Sequence, residues 1–288
     1  MLNKLPAIIA CDLDGTFFSD AQQTVMSRTY DVVSQCVKAG AAFIPVTGRS
    51  EFIIPFDRLP PLRYLVTCNG ALVKDMQLGA ILRAQYLPWQ DVRLAWETAR
   101  ECLKGDDFLL ELFEDDGITM EEKVRGRLSE YKGRIPAFHF PYLESGRARW
   151  AQSFERYIDQ GCTHVSKVNF PGRGLALRAE LTDRLKSTGR FTVVSDGMNI
   201  EVMARGCNKG EALLWLANSM NVPNGDIIAF GDSSNDLSML YSVGWGVAMG
   251  NATASIRENV PYCTAPHNAD GIAAFLQDNF SALQTKEI

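Results

Sequence analysis

Apolar residues along the chain fall into two kinds of run. Short unbroken runs at residues 7–11, 42–47, 64–67 and 227–230 read as strands covered on both faces, as strands of a parallel sheet are. Between them the spacing changes to three and four. Met26, Tyr30, Val33 and Val37 predict one amphipathic helix, and Leu213, Leu216, Ala217 and Met220 another. Lys38-Ala39-Gly40 supplies a basic last turn and a glycine stop for the first of these. Strand, helix, strand in this rhythm predicts right-handed parallel crossovers. A short helix after Arg49 should end near Leu59, because Pro60-Pro61 cannot continue it. Cys68-Asn69-Gly70 suits a tight turn back into residues 71–73.

From about residue 85 the texture differs. Val92, Trp96, Ala99 and Leu103 predict a helix, residues 108–113 a strand, Trp150, Phe154, Tyr157 and Ile158 a helix, and residues 164–170 a strand. Residues 175–185 read as helical. Residues 191–194 and 199–203 read as strands that could pair across a hairpin turn at Asp196-Gly197. Locally pairing strands interleaved with helices predict an inserted α+β domain over residues 85–204. The core rhythm resumes at Asn208, with a strand at 244–249, a helix from Ala252, residues 262–264, and a last helix from Gly271. The core, residues 1–84 with 205–288, is thus expected to be an α/β domain on a Rossmann-like parallel sheet.

Charge narrows the partners. A net charge of −5 and a pI near 5.4, with no Lys/Arg block, leave no footprint for nucleic acid or a membrane surface. An anionic substrate stays compatible with this charge if a metal supplies local positive charge. The seven scattered cysteines contain no C-x-x-C and read as reduced thiols, which with no apparent signal peptide makes the cytoplasm the expected compartment. His139, His164 and His267 are too dispersed for a zinc site, and only His267 falls near a motif of interest. Gly172-Arg173-Gly174 lacks the strand, loop and helix order of a dinucleotide fingerprint.

The chemistry collects where strands end. The first apolar run stops on D-L-D-G-T, placing Asp12 and Asp14 at the carboxyl edge where open α/β sheets hold their ligands, with Gly15 free to turn tightly. Asp-Gly after a strand is also an ordinary turn. Three later segments change the balance: T-G-R at 47–49, N-K-G at 208–210 and G-D-S-S-N-D at 231–236. Together these four motifs resemble the haloacid dehalogenase (HAD) superfamily. In order and spacing they are similar to its Cof-type phosphatases with a class IIB-like cap, over residues 7–73 and 205–276.

The resemblance implies an HAD-like core, a cap inserted between the second and third motifs, and an aspartyl-phosphate mechanism. Asp12 would be the nucleophile, and Asp14 the acid toward the leaving group and then the base toward water. Hard oxygen ligands imply Mg2+, held by Asp12, the Asp14 backbone carbonyl and Asp232, with Asp236 holding a metal water or Lys209. Thr47 would offer its hydroxyl to a phosphoryl oxygen, or cap the next helix, and Gly48 its backbone N–H. Arg49 would contact substrate or pair on the surface. Lys209 begins a helix, where a cation opposes the macrodipole, so a phosphate or aspartate partner is expected. Asn235 would donate to phosphate or orient Asp12, and Asn69 has a smaller role toward substrate or the cap hinge.

The leading expectation is a Mg2+-dependent phosphatase for a small phosphorylated metabolite, a sugar phosphate first, with the inserted domain closing over the site. A phosphosugar mutase or other phosphotransferase is the alternative within catalysis. A non-catalytic phosphometabolite-binding regulator is the alternative outside it.

Overall fold

The computed structural model describes residues 4–19, 22–103, 109–172, 175–195, 199–280 and 283. The chain divides into two compact units. One combines Met1–Arg49, Pro55–Arg83 and Asn208–Ile288; the other combines Ser50–Ile54 with Ala84–Cys207.

Among the described residues, the first unit is built on a five-stranded sheet in the order Tyr262–Cys263, Trp245–Ala248, Ile227–Gly231, Ile8–Cys11, Ala42–Pro45, every neighbouring pair parallel. The chain supplies these strands out of sequence order, which places Ile8–Cys11 inside the sheet, between Ile227–Gly231 and Ala42–Pro45. Ile8, Ile9, Ala10 and Cys11 are all inaccessible to solvent, which is why this strand carries no polar alternation. The helix Lys209–Ser219 packs Leu213, Leu216 and Ala217 into the cluster formed by Ile8, Ala10, Ile227 and Ala229. Truncating a fully buried residue such as Leu213 to alanine costs about 2–5 kcal/mol. The helices Ser27–Lys38 and Gly271–Asn279 pack against each other. Beyond Ala42–Pro45, a parallel bridge between Val46 and Val66 leads to Tyr64–Thr67, which pairs antiparallel with Leu72–Asp75.

Where a helix is expected over residues 50–59, the chain instead forms two single 3-10 turns, Glu51–Ile53 and Phe56–Arg58. Pro55 is the cause. It offers no backbone N–H and pushes Ile54 into extended conformation, with φ −100° and ψ 127°. In the second unit, the Phe52 ring of the first turn lies 5.6 Å from that of Tyr142.

The second unit has a six-stranded sheet among the described residues, ordered Phe191–Ser195, Asn199–Ala204, Val165–Pro171, Glu111–Glu114, Gly117–Glu121, Arg149–Ala151. Phe191–Ser195 and Asn199–Ala204 pair antiparallel as expected; the hairpin turn at Asp196-Gly197 lies outside the described residues, as do Phe108 and Arg173-Gly174. Strand pairing is less local than the sequence suggests, because Val165–Pro171 returns beside Glu111–Glu114. Trp150 belongs to the short strand Arg149–Ala151, and the helix starts only at Phe154. One sheet face buries Leu112, Val168, Phe170, Ile200 and Val202 in a cluster with Val92, Trp96, Phe154 and Leu181 of the covering helices. The other is polar and internally bonded: Glu111 accepts from Asn169 at 2.7 Å and pairs with His139 at 2.8 Å. No helix among the described residues is long and apolar enough to cross a membrane.

Candidate active site

Two adjacent strands deliver the acids. Cys11 is in register with Phe230, and the Asp12 N–H donates to the Phe230 carbonyl at 3.0 Å, so Asp12 and Asp232 emerge side by side at the carboxyl edge of the sheet. Asp12, Asp232 and Asp236 each place one carboxylate oxygen within 4.8 Å of the others. Asp12 is 5% exposed and Asp236 is wholly buried.

Lys209 closes this group. Asn208 caps its helix by accepting from the Glu211 N–H at 2.8 Å, and Gly210 lets the helix start press onto its neighbour, since a Cβ there would lie 2.2 Å from the Ser238 carbonyl oxygen. The buried Lys209 Nζ then sits 2.7 Å from Asp12 Oδ1 and 2.6 Å from Asp236 Oδ1. Burial disfavours the ammonium, yet the two carboxylates outweigh it and hold the lysine above its ordinary range. Here is the partner that a cation at a helix N-terminus requires. Asp236 uses its other oxygen to accept the N–H groups of Asp232 and Ser233 at 3.0 and 2.9 Å, closing a capping box with Ser233. With both oxygens so engaged, Asp236 braces Lys209 and the Asp232 loop.

Asp14 points away from this group and is about half exposed. Its carboxylate accepts a two-pronged ion pair from Arg49, Nε at 2.7 Å and Nη2 at 2.5 Å. Arg49 is not a surface residue: it is 3% exposed, with its guanidinium 5.2 Å from the Phe18 ring centre. The buried Thr47 hydroxyl accepts the Arg49 N–H at 3.1 Å, which leaves its own proton to donate. It does not cap the following turn, whose N-terminal position is Ser50. Gly48 is half-buried beside it. Asn69 holds a left-handed conformation, φ 55°, and its side-chain oxygen accepts from Asn235 Nδ2 at 3.0 Å. One of the two Asn235 amide N–H groups is thus taken by Asn69.

This arrangement has relatives. Residues 9–276 match the family model described as haloacid dehalogenase-like hydrolase. The chain belongs to that family. Among curated proteins this HAD-like hydrolase is similar to phosphatase YwpJ of Bacillus subtilis, 26% identical over 287 residues with 94% of this chain and 98% of that protein covered. It is also similar to an HMP-PP phosphatase of Yersinia pseudotuberculosis, 29% identical over 262 residues with 88% and 87% covered. Among solved structures, a haloacid dehalogenase-like hydrolase from B. subtilis superposes with a TM-score of 0.77 at 23% identity, covering 95% of this chain and 100% of that one. A HAD subclass IIB sugar phosphatase superposes at 0.74 and 21% identity, covering 94% and 98%. At these identities the structural likeness carries the fold alone.

In this HAD-like hydrolase two further side chains, Thr16 and Asn251, bond to the acidic cluster. Thr16 Oγ1 donates to Asp232 Oδ1 at 3.1 Å, and Asn251 Nδ2 reaches both the Gly15 carbonyl, at 2.8 Å, and Asp232 Oδ2, at 3.3 Å. Gly15 is required where it stands: its φ is +75°, and a Cβ would lie 2.5 Å from Asp232 Oδ2. His267 donates its backbone N–H to Asn251 Oδ1 at 3.0 Å, and its Nδ1 lies 3.2 Å from the Phe18 carbonyl. Thr16 was visible within D-L-D-G-T, whereas a lone asparagine after a strand carries no local signal.

Electrostatically the site is short of positive charge. Burial pushes Asp12 well above the usual carboxylate range; Lys209 opposes this, while Asp236, Asp232 and Asp14 add to it. Asp232 is pushed up to about 6 by burial and Asp236, against the Thr16 hydrogen bond and the charges of Lys209 and His267. An oxygen-only donor set with surplus negative charge fits a hard divalent cation, and Asp12 and Asp232 are near enough to share one.

Proposed function

We propose that this HAD-like hydrolase is a Mg2+-dependent phosphatase that hydrolyses the phosphoric monoester of a small metabolite, a sugar phosphate first, through a phosphoryl group carried on Asp12. The observation that carries this reading is one geometry: a buried carboxylate at a strand end, tethered by Lys209 at 2.7 Å and within 4.8 Å of a second acidic loop. Relatives named as phosphatases support it.

Asp12, Asp232 and the Asp14 backbone carbonyl would hold the cation, which neutralises phosphoryl oxygens and keeps Asp12 ionised when bound. Lys209 takes Asp12 Oδ1, so we assign attack on phosphorus to Oδ2. As the new O–P bond forms, the ester P–O bond breaks, and Asp14 gives its proton to the departing alkoxide. Asp14 then takes a proton from the water that attacks phosphorus, which releases phosphate and regenerates the Asp12 carboxylate. Arg49 holds Asp14 at two points in the ionised form, so Asp14 would turn from that pair toward Asp12 to make this exchange. Thr47 donates its hydroxyl proton, and Lys209 its charge, to equatorial phosphoryl oxygens. Substrate choice we assign to the inserted unit, Ala84–Cys207; exchanging it should move the substrate range while dependence on Asp12 persists.

The test is phosphate release from a panel of sugar, nucleotide, flavin and pyridoxal phosphates, with Asp12→Asn as the blank. Release at equal rates by the variant overturns the covalent mechanism. Transfer between sugar hydroxyls that requires a bisphosphate activator, without net release, would assign a mutase instead.

A further inference from the structure

Asn251 follows the strand Trp245–Ala248, next in the sheet after Ile227–Gly231, and it makes three hydrogen bonds to three different loops. Its Nδ2 donates to the Gly15 carbonyl at 2.8 Å and to Asp232 Oδ2 at 3.3 Å, while its Oδ1 accepts the His267 N–H at 3.0 Å. These partners settle the amide orientation, because reversal would set an oxygen against two oxygens and an NH2 against an N–H. Thr16 Oγ1 holds the other Asp232 oxygen at 3.1 Å. Each oxygen of that carboxylate therefore has its own side-chain donor, one from either side.

We propose that Asn251 is a positioning residue that orients the Asp232 carboxylate for cation binding. A carboxylate pinned at one oxygen can still swing about its terminal torsion; pinned at both, it is set before the ion arrives, and no ordering cost falls on binding. The same side chain ties Asp232 to the Gly15 backbone, one residue from the Asp14 carbonyl assigned as a ligand. Loops that must share one ion are thereby held in common register. Asn251 itself is exposed at the rim and contributes nothing to the core. Its effect is accordingly expected in ion affinity rather than in folding.

The inference rests on Asp232 holding the cation, so the experiment carries that assumption as a separate arm. Mg2+ is titrated calorimetrically into substrate-free wild type, Asn251→Ala, Thr16→Val and Asp232→Asn, and phosphate release is followed against Mg2+ concentration. Asn251→Ala should weaken Mg2+ binding by about tenfold or more, and turnover lost at low Mg2+ should recover as Mg2+ is raised. Thr16→Val should weaken binding in the same direction, and the double variant should lose less than the product of the two effects, since both donors restrain one torsion. Unchanged Mg2+ affinity in Asn251→Ala, with Asp232→Asn impaired, overturns the positioning role and leaves the phosphatase reading standing. Unchanged affinity in Asp232→Asn overturns both. An ion-free Tm for Asn251→Ala lower by more than about 4 °C would make the residue a loop staple, and overturns the proposal too.

Discussion

Asp12 and Lys209 stand 197 positions apart in the chain and share a 2.7 Å ion pair from which water is almost wholly excluded. The same ammonium lies 2.6 Å from Asp236, so one buried cation separates two buried carboxylates. Removing it leaves both uncompensated. Lys209→Met should destabilise the fold by about 3–5 kcal/mol, read from urea unfolding, and abolish phosphate release. A variant as stable as wild type would show that the pair does not hold these loops together.

Asp14 is assigned the proton exchange with the leaving group. Asp14→Asn should therefore lower turnover of alkyl phosphates by roughly 10²–10⁴, and should slow an aryl phosphate with an acidic leaving group much less in the first step. Measuring phosphorylation rates for both ester types separates acid catalysis from mere loss of the Arg49 pair, which would slow the two alike.

The Asp232 carboxyl, pushed up to about 6, makes a signed prediction about pH. Its unfolded value is about 3.9, so the ion-free native state binds more protons than the unfolded chain between roughly pH 4 and pH 6. Stability attributable to Asp232 is present below that window and is lost as pH rises through it. Bound Mg2+ replaces the missing proton. Its addition should raise Tm little below about pH 5 and fully above about pH 7, as a calorimetric series with and without the ion would show. EDTA should stop phosphate release at neutral pH, and Mg2+ should restore it.

Gly15 is held at φ +75° with no room for a side chain on the Asp232 side. Gly15→Ala should cost about 1–2 kcal/mol in backbone strain and displace the Asp232 carboxylate, weakening Mg2+ binding as well. Thermal unfolding reads the first effect and titration with the ion the second. Ion affinity equal to wild type would mean that Asp232 can shift without consequence.

Much of the candidate site is legible in the sequence. Asp12, Asp14, Thr47, Lys209 and Asp232 all lie where an apolar strand run or a helix stripe gives way to polar residues, and that change is a local property of the chain. Arg49 was legible only as a charge of open purpose. Its burial against Phe18 and its two-point grip on Asp14 depend on a partner 35 residues away. Asn251 left no mark at all, because hydrogen bonds to Gly15, 236 residues distant, impose no periodicity on its neighbours. The segment after Arg49 forms two separate turns rather than the expected helix because Pro55, inside the run, breaks it before Pro60-Pro61 is reached.

By itself the order of amino acids determined the parallel core, the edge at which its acids gather and the chemical type of the groups there, since burial patterning and chain reversal act over a few residues. Which oxygen meets which donor was decided only in three dimensions. Strand order sets Ile227–Gly231 beside Ile8–Cys11, and side chains hundreds of positions apart then compete for the same few hydrogen bonds in a space from which water is largely excluded.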